Sequence, residues 1–207
     1  MLKKWMIGFL GLIMIPTFAS AALYSFTNIT NNGNTDVGGQ LSVDVTGQVF
    51  TFYNNVGIAS SITDVYFDDG GTLLGTFALT DSGTGVAFSS PATPGDLPGG
   101  NTIGFVTEGD LSANSDSPVS ANGVNSSSEW LRITFNTLLN GNNADDILAA
   151  LGDGSLRIGL HVQSIALQGG SDSYVNNGTP VPEPGTMMLL GSGLVGLTGW
   201  GRKKFRK

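Results

Sequence analysis

The chain contains few side chains that could carry out catalysis. His161 is the only histidine, cysteine is absent, and the many serines include no G-x-S-x-G nucleophile elbow. A hydrolase would need His161 beside a nucleophilic serine and a carboxylate, whereas a histidine at an outward strand position is typical of a surface residue. Without cysteine, a Cys/His zinc site is not expected either. The sequence therefore predicts a non-enzymatic protein without a cofactor.

Three carboxylates that lie close together in the sequence could instead bind a metal ion. Asp64, Asp68 and Asp69 would supply the hard oxygen ligands that Ca²⁺ prefers. The EF-hand pattern D-x-[DN]-x-[DN]-G is absent, however, and Asp and Gly are common in turns for backbone reasons alone. A structural turn is thus the favoured interpretation, and a calcium site at these residues is the alternative.

Three aromatic residues on predicted strands could contact a carbohydrate. Tyr53, Tyr66 and Trp130 would stack on sugar rings if their strands exposed them to solvent. Aromatic side chains on the strands of a sandwich more often belong to the core, where they bury a large area. Core packing is therefore the favoured interpretation, and a carbohydrate-binding surface is the second alternative.

The part of the chain between its two ends, Ala22–Pro180, is strongly acidic. It holds all of the chain's 16 acidic residues except Glu183 but only two of the nine basic residues, Arg132 and Arg157, so its formal net charge is −13. Such a surface repels nucleic acid and anionic membranes, and no nucleic-acid partner is expected. The absence of cysteine excludes disulfides, and the length suffices for one domain with its own core.

Alternation of apolar and polar residues predicts the strands that must position these side chains. The clearest strands are 23–30, 41–46, 49–53, 62–67, 130–135 and 156–163. The turn Asp68–Gly71 is predicted to join 62–67 and 72–79 in a hairpin, because Asp-Gly and Gly-Gly supply positive φ angles. Gly47 is predicted to bend a strand that continues on both of its sides.

Two stretches interrupt this pattern. Residues 82–125 are rich in proline, glycine and asparagine, and within them only 86–88 and 102–106 are predicted as short strands. Residues 168–180 are predicted to be a flexible linker toward the C-terminus.

One helix is predicted between the last two strong strands. Asn143 can cap it, Asp145 and Asp146 complement the positive end of its dipole, and Gly152 is predicted to end it. About eight strands and one short helix favour an all-β fold, an antiparallel and jelly-roll-like β-sandwich, with a β-barrel as the alternative.

The N-terminus has the features of a secretory signal peptide. A short basic start precedes the mostly apolar run 5–18, which leads to the A-x-A sequence formed by Ala19 and Ala21. The sequence therefore predicts a signal-peptide helix within 1–21, recognition of the two alanines by signal peptidase, and a mature chain that begins at Ala22.

The C-terminus combines three elements in order. Pro182, Glu183 and Pro184 favour an extended, accessible backbone. The uncharged run 186–201 is shorter than the roughly 20 residues of a simple transmembrane helix but is rich in glycine, as membrane helices can be. The basic residues of the tail are Arg202, Lys203, Lys204, Arg206 and Lys207. Basic residues beside a span stay cytoplasmic, so a C-terminal transmembrane helix with the preceding chain outside is predicted.

This order of elements resembles the PEP-CTERM sorting signal. The resemblance implies that Pro182, Glu183 and Pro184 are recognised by an exosortase, an integral-membrane processing enzyme of Gram-negative bacteria that make extracellular polysaccharide. It implies a protein that is anchored in the inner membrane before processing and then reaches the cell surface or the biofilm matrix, where polysaccharide is a possible partner. It implies nothing about the activity of the exported part.

The predicted organisation has three parts. They are a signal peptide at 1–21, a β-sandwich ectodomain at 22–176, and a linker with the sorting signal at 177–207. The predicted function is that of an exported, non-enzymatic surface or matrix protein. An extracellular module that binds carbohydrate or calcium is the alternative, and a secreted hydrolase is a third class.

Overall fold

The alternating segments fold into antiparallel strands in the computed structural model, which describes residues 21–167 and 169–180. The strands are β1 (Ala21–Asn28), β2 (Leu41–Thr46), β3 (Val49–Asn54), β4 (Ser61–Asp68), β5 (Phe77–Asp81), β6 (Phe88–Ser89), β7 (Ser112–Ser115), β8 (Trp130–Phe135), β9 (Arg157–Ile165) and β10 (Gly170–Asn176). Their order in the sheet is β5-β8-β3-β2-β1-β10-β9-β4-β7-β6.

Strand β1 belongs to both of the two sheets that pack against each other. Its first part, 21–25, pairs with β2, and its last part, 26–28, pairs with β10. We call the sheet β5-β8-β3-β2-β1 sheet A and the sheet β1-β10-β9-β4-β7-β6 sheet B. The outer strands β5 and β6 come near each other without pairing, so the sandwich is nearly closed. The prediction of an all-β antiparallel sandwich is confirmed.

Phenylalanine rings fill the core between the two sheets. Phe50 and Phe135 of sheet A meet Phe67 of sheet B edge to face, with ring centroids 5.3 and 5.1 Å apart. Such pairs contribute about 0.5–1.5 kcal/mol each beyond the area they bury. Leu131 and Ile133 are fully buried in the same core, which identifies the inward face of β8.

The predicted helix forms, although it ends later than expected. Helix α2 spans Ala144–Asp153, and Asn143 caps it in a capping box with Asp146. Gly152 lies within the helix, while Gly154 adopts φ 80° immediately after it. The C-terminal cap is therefore Gly154, since only a residue that tolerates the left-handed region ends a helix in this way. A one-turn helix, α1 (Val119–Asn122), was not predicted.

The predicted hairpin across Asp68–Gly71 is wrong. Strand β4 pairs with β9 on one side and β7 on the other, and all of its residues are buried, so it has no edge left for β5. The chain instead crosses from sheet B to sheet A. Gly47 was also misinterpreted: β2 and β3 form a hairpin whose two-residue turn is Gly47-Gln48, with φ 62° at the glycine.

Part of the loop-rich stretch 82–125, which also contains β6 and β7, packs on the outer face of sheet B. The predicted strand 102–106 is wrong, because Gly100–Ile103 forms a short 3-10 helix, while β7 was not predicted. Leu97 and Phe105 pack here in a second apolar cluster. Gly159 of β9 lies directly beneath them, and a Cβ there would meet Leu97 at 2.7 Å. The glycine thus permits the close approach of this segment to the sheet.

Most of the predicted linker 168–180 is strand β10, which lies between β1 and β9. Tyr174 is fully buried, and Asp172 is 1% exposed. Burial alone would raise the pKa of Asp172, but hydrogen bonds from the Asn32 N–H, the Asn34 amide and the Thr30 hydroxyl outweigh it and lower that pKa. The charged carboxylate therefore fixes the loop after β1 onto β10.

The two ends of the described chain leave the sandwich at one end, which we call the exit pole. Strands β1 and β10 are antiparallel, so the beginning of β1 at Ala21 and the end of β10 at Asn176 point the same way. Asn177 continues along β1 and hydrogen-bonds Ser25 through its backbone and its side chain. No helix in the described part of the chain is long and apolar enough to cross a membrane.

Candidate functional site

The outer face of sheet A presents two neighbouring aromatic side chains. Tyr53 on β3 and Trp130 on β8 are direct cross-strand partners, and both are half-buried. The adjacent residues Phe52 and Leu131 are fully buried in the core. Because alternate residues of a strand point to opposite faces, Tyr53 and Trp130 must lie on the outer face. Directly opposed Cβ atoms are about 5 Å apart, so the two side chains leave the sheet next to each other.

Arg132 lies beside this aromatic pair. It is two residues after Trp130 on β8, and its guanidinium carbon is 4.7 Å from the centroid of the indole ring. Its Nε donates a hydrogen bond of 3.3 Å to the Thr51 hydroxyl, which lies opposite it on β3. A cation over an aromatic ring is stabilised by about 0.5–1 kcal/mol at an exposed site. The terminal nitrogens of Arg132 remain available to a ligand, since the described residues supply them no hydrogen-bond acceptor.

Asp44 completes the polar part of this face. It lies in the same cross-strand row as Thr51 and Arg132, on the far side of Thr51. The Thr46 hydroxyl donates a hydrogen bond of 3.2 Å to the Asp44 carboxylate. The face can therefore stack against the apolar side of a ring, donate hydrogen bonds from a guanidinium and accept them at a carboxylate. We call Tyr53, Trp130, Arg132 and Asp44 the aromatic face.

Tyr66, the third predicted aromatic contact, does not belong to this face. It is fully buried on the opposite side of the molecule, beneath the segment that contains Leu97 and Phe105. Its hydroxyl donates a hydrogen bond of 3.1 Å to the carbonyl of Pro94. Burial, with a smaller contribution from the nearby Asp64 carboxylate, raises the pKa of Tyr66. The favoured interpretation of Tyr66 as a core residue is therefore confirmed, and the alternative of a sugar contact does not hold for it.

His161 and Asp64 form a pair on the outer face of sheet B. They are cross-strand partners on β9 and β4, and the His161 Nδ1 lies 3.1 Å from the Asp64 carboxylate. The Thr63 hydroxyl donates to the same carboxylate oxygen at 2.7 Å. The predicted outward position of His161 is confirmed, and its side chain is hydrogen-bonded to Asp64.

A serine lies next to this pair in the sheet. Ser173 of β10 is the cross-strand partner of His161, so Asp64, His161 and Ser173 occupy one row. The serine is only 1% exposed, however, and its hydroxyl has no hydrogen-bond partner within the described residues. A nucleophile needs both a base within hydrogen-bonding reach and access to its substrate, and the geometry of this row provides neither.

The three aspartates predicted as possible calcium ligands have separate roles in the fold. Asp68 forms an ion pair with Arg157, and it accepts a hydrogen bond from the Val106 N–H. Asp69 accepts hydrogen bonds of 2.9 Å from the N–H groups of Gly71 and Leu73, which stabilises the crossover between the sheets. In residues 21–167 and 169–180, no three histidine or carboxylate side chains are grouped as metal ligands.

The residues of the sorting motif and the basic tail, 181–207, lie outside the described part of the chain, as does Ala19 of the predicted cleavage site. Ala21 is described and begins β1. The mature N-terminus predicted at Ala22 would thus lie within a paired strand, opposite Val45.

Sequence reasoning identified Tyr53 and Trp130 but not Arg132. The available signal was the i, i+2 spacing of Trp130 and Arg132 on a strongly alternating strand, which places both side chains on one face. The scarcity of basic residues between Ala22 and Pro180 was a second signal.

Comparison with known proteins concerns the C-terminus alone. Residues 180–203 match the PEP-CTERM protein-sorting motif. No curated protein and no solved structure matches the chain.

Proposed function

For a chain that carries a PEP-CTERM sorting motif, we propose the function of an exported, non-enzymatic protein of the cell surface or extracellular matrix. An exosortase processes it at or near Pro182–Pro184. The observation that supports this is the match at 180–203 directly after a folded sandwich. Asn177 is held by hydrogen bonds to Ser25, so the motif begins only five residues beyond an anchored position.

The physical properties of the C-terminal elements support processing. The two prolines keep the site extended, the span 186–201 is short enough to be a marginal anchor, and the basic tail resists translocation. The inner membrane before processing, and a Gram-negative envelope with extracellular polysaccharide afterwards, belong to this proposal.

The test replaces Pro182, Glu183 and Pro184 with alanine in the full chain and follows the protein by immunoblot of fractionated host cells. We expect export to continue and the uncut protein to accumulate in the inner membrane. The control replaces Gly178 and Thr179, which precede the matched residues 180–203, and should leave processing intact. If the variant of the motif is shortened and reaches the cell surface like the wild type, the processing proposal is wrong.

A second candidate function is carbohydrate binding through the aromatic face. The specific observation is that Tyr53 and Trp130 lie side by side on an outer face, with Arg132 and Asp44 in reach of the same ligand. An aromatic ring stacks on the apolar side of a pyranose, while the guanidinium and the carboxylate bind its hydroxyl groups. A neutral polysaccharide suits this face better than an acidic one, because the surrounding surface is strongly negative.

This function is tested by measuring glycan binding by the full chain in lipid nanodiscs. We expect Trp130→Ala to weaken binding about 10- to 100-fold, which corresponds to a loss of about 1.4–2.8 kcal/mol, and Tyr53→Ala to weaken it less. His161→Ala, on the other outer face, is the control and should bind normally. A calcium titration of the wild type distinguishes the calcium alternative. Equal binding by the Trp130 and His161 variants would exclude the aromatic face.

A further inference from the structure

An apolar cleft lies where the sandwich remains open, between β5 of sheet A and the β6–β7 side of sheet B. Its volume is about 710 Å³, within the range of sites that bind ligands. The apolar residues that line it are Leu74, Phe77, Leu79, Leu111 and Leu139. Leu139 is also among the exposed large apolar residues of the described chain. The cleft therefore offers apolar surface that the fold does not bury.

Strand β5 borders this cleft with an unpaired edge. Among the described strands, β5 pairs only with β8. The Ser82 N–H donates to the Trp130 carbonyl, and the Thr76 carbonyl accepts from the Asn136 N–H. The backbone N–H and C=O groups of the even-numbered residues of this segment therefore point toward β8. Because the backbone groups of an antiparallel strand alternate in direction, those of Phe77 and Leu79 point away from β8. An exposed edge of this kind is a template for another strand.

The rim of the cleft on the side of sheet B is negatively charged. Glu108 and Asp110 line it. Within the described residues neither carboxylate is bonded to a side chain or backbone donor, in contrast to Asp64, Asp69 and Asp172, which all accept hydrogen bonds. No basic residue lines the cleft. A ligand that reaches both the apolar floor and this rim would carry positive charge.

We propose that this cleft docks an extended, basic segment of a partner protein. The segment adds to β5 as a further antiparallel strand, with main-chain hydrogen bonds to Phe77 and Leu79. Every second side chain of the segment faces the cleft. Apolar ones cover its floor, and a lysine or arginine farther along the same face pairs with Glu108 or Asp110. In strand addition of this kind, the main-chain hydrogen bonds provide affinity and the alternate side chains provide specificity.

The charge of the molecule favours a different protein over a second copy of this chain. Between Ala22 and Pro180 the chain has only two basic residues, and the carboxylate Asp68 and the carbonyls of Ile103 and Gly104 already engage Arg157. Two such domains would repel each other through their net negative charge. The inference is independent of both sorting and carbohydrate binding.

The test uses labelled model peptides and the full chain in phosphatidylcholine nanodiscs, with fluorescence anisotropy as the readout. The probe is Thr-Val-Thr-Val-Thr-Lys-Thr, whose lysine lies on the same face as its valines. The comparison peptides are Thr-Val-Thr-Val-Thr-Glu-Thr and the lysine peptide N-methylated at its valines. Residues that face the same side as Phe77 and Leu79 also form the hydrogen bonds to β5, so N-methylation of the valines blocks strand addition without a change in charge. We expect the lysine peptide to bind and each comparison peptide to bind at least 10-fold more weakly.

Two protein variants separate docking from general attraction to an acidic surface. Glu108→Gln with Asp110→Asn should weaken binding of the lysine peptide at least 10-fold. The matched control, Asp96→Asn with Asp153→Asn, removes the same number of charges elsewhere and should change affinity less than 3-fold. Equal effects of the two double variants, equal binding of the N-methylated peptide, or no binding of the lysine peptide would each overturn the proposal.

Discussion

The two outer faces of the sandwich both place an arginine over an aromatic ring, with opposite consequences. On sheet A, Arg132 lies 4.7 Å from the ring of Trp130 and has one hydrogen bond to a protein group, from Nε to Thr51. On sheet B, Arg157 lies 5.3 Å from the ring of Phe105 and is also bonded to Asp68. Both arginines are half-buried, but only Arg157 is hydrogen-bonded by a segment of chain that packs on the outside of its sheet, at Ile103 and Gly104.

The same kind of residue pair therefore holds the fold together on one face and remains free for the proposed carbohydrate ligand on the other. Besides Asp68, the Arg157 guanidinium donates hydrogen bonds to the carbonyls of Ile103 and Gly104. It therefore holds the covering segment, the stretch that contains Leu97 and Phe105, on sheet B. No described segment of the chain bonds to Arg132 in this way. The hydrogen-bonding capacity of Arg132 is therefore left for a ligand, and we expect loss of the two arginines to affect different properties.

The largest expected effect comes from Arg157→Ala. The change leaves the Asp68 carboxylate partly buried without its charge partner, and it removes two hydrogen bonds to the covering segment. We expect a cost of about 2–3 kcal/mol in the free energy of unfolding, or a fall of about 4–10 °C in Tm. Arg132→Ala should cost less than about 1 kcal/mol, because only one weak hydrogen bond and an exposed cation–π contact are lost. Thermal denaturation of both variants measures the difference.

If Arg132→Ala destabilised the protein more than Arg157→Ala, the contrast drawn between the two faces would be wrong. The double variant Arg157→Ala with Asp68→Ala provides the control, since removal of both partners no longer leaves an unpaired charge. It should recover part of the lost stability.

A smaller effect distinguishes Tyr66 from Tyr53. Tyr66→Phe removes the hydrogen bond to Pro94 and should cost about 1 kcal/mol near neutral pH, whereas Tyr53→Phe on the open face removes no hydrogen bond to the described protein. The pKa of Tyr66 is raised in the folded state, so its contribution is fully present below the unfolded value of about 10 and is lost as pH rises above it. The stability gap between wild type and Tyr66→Phe should therefore narrow above pH 10.

Urea denaturation of both variants at a series of pH values between 7 and 11 measures this gap. A gap that stayed constant across the series would contradict the raised pKa of Tyr66. The Tyr53→Phe variant corrects for alkaline effects that do not depend on the buried hydroxyl.

The regular strands could be predicted because their burial is one-sided. In β8, the alternation of Trp130, Leu131 and Arg132 reports directly which face meets the core, and the same holds for β9. The cap of α2 was also predictable, since Asn143 acts on the backbone only two residues away. In these cases each residue's role is fixed by its immediate neighbours in sequence.

The missed elements depend on distant partners. Strand β4 is buried along its whole length, so its sequence could not show that both edges are occupied and that the turn after it is a crossover. Strand β10 looks like a linker because Ser171, Asp172 and Ser173 are polar, yet Asp172 is satisfied by residues about 140 positions away. The aromatic face was half predictable: the Trp130–Arg132 spacing is local, but the adjacency of Tyr53 exists only through the register of β3 with β8.

The exit pole sets how far the two proposed surfaces would lie from the membrane in the proposed anchored form. From Asn177 to the start of the predicted span is nine residues, at most about 30 Å of extended chain. Ala21 and Ala78 lie in the same cross-strand row of sheet A, close to the exit pole. Phe77, at the edge of the cleft, lies one residue closer to that pole than this row. Trp130 lies four residues on the other side of the row, about 13 Å farther from the pole. In the proposed anchored form, a tether of this length can hold the cleft as well as the aromatic face clear of the bilayer. Cleavage near Pro182 would then open neither surface, but it would extend the reach of both from the vicinity of the membrane to the extracellular space.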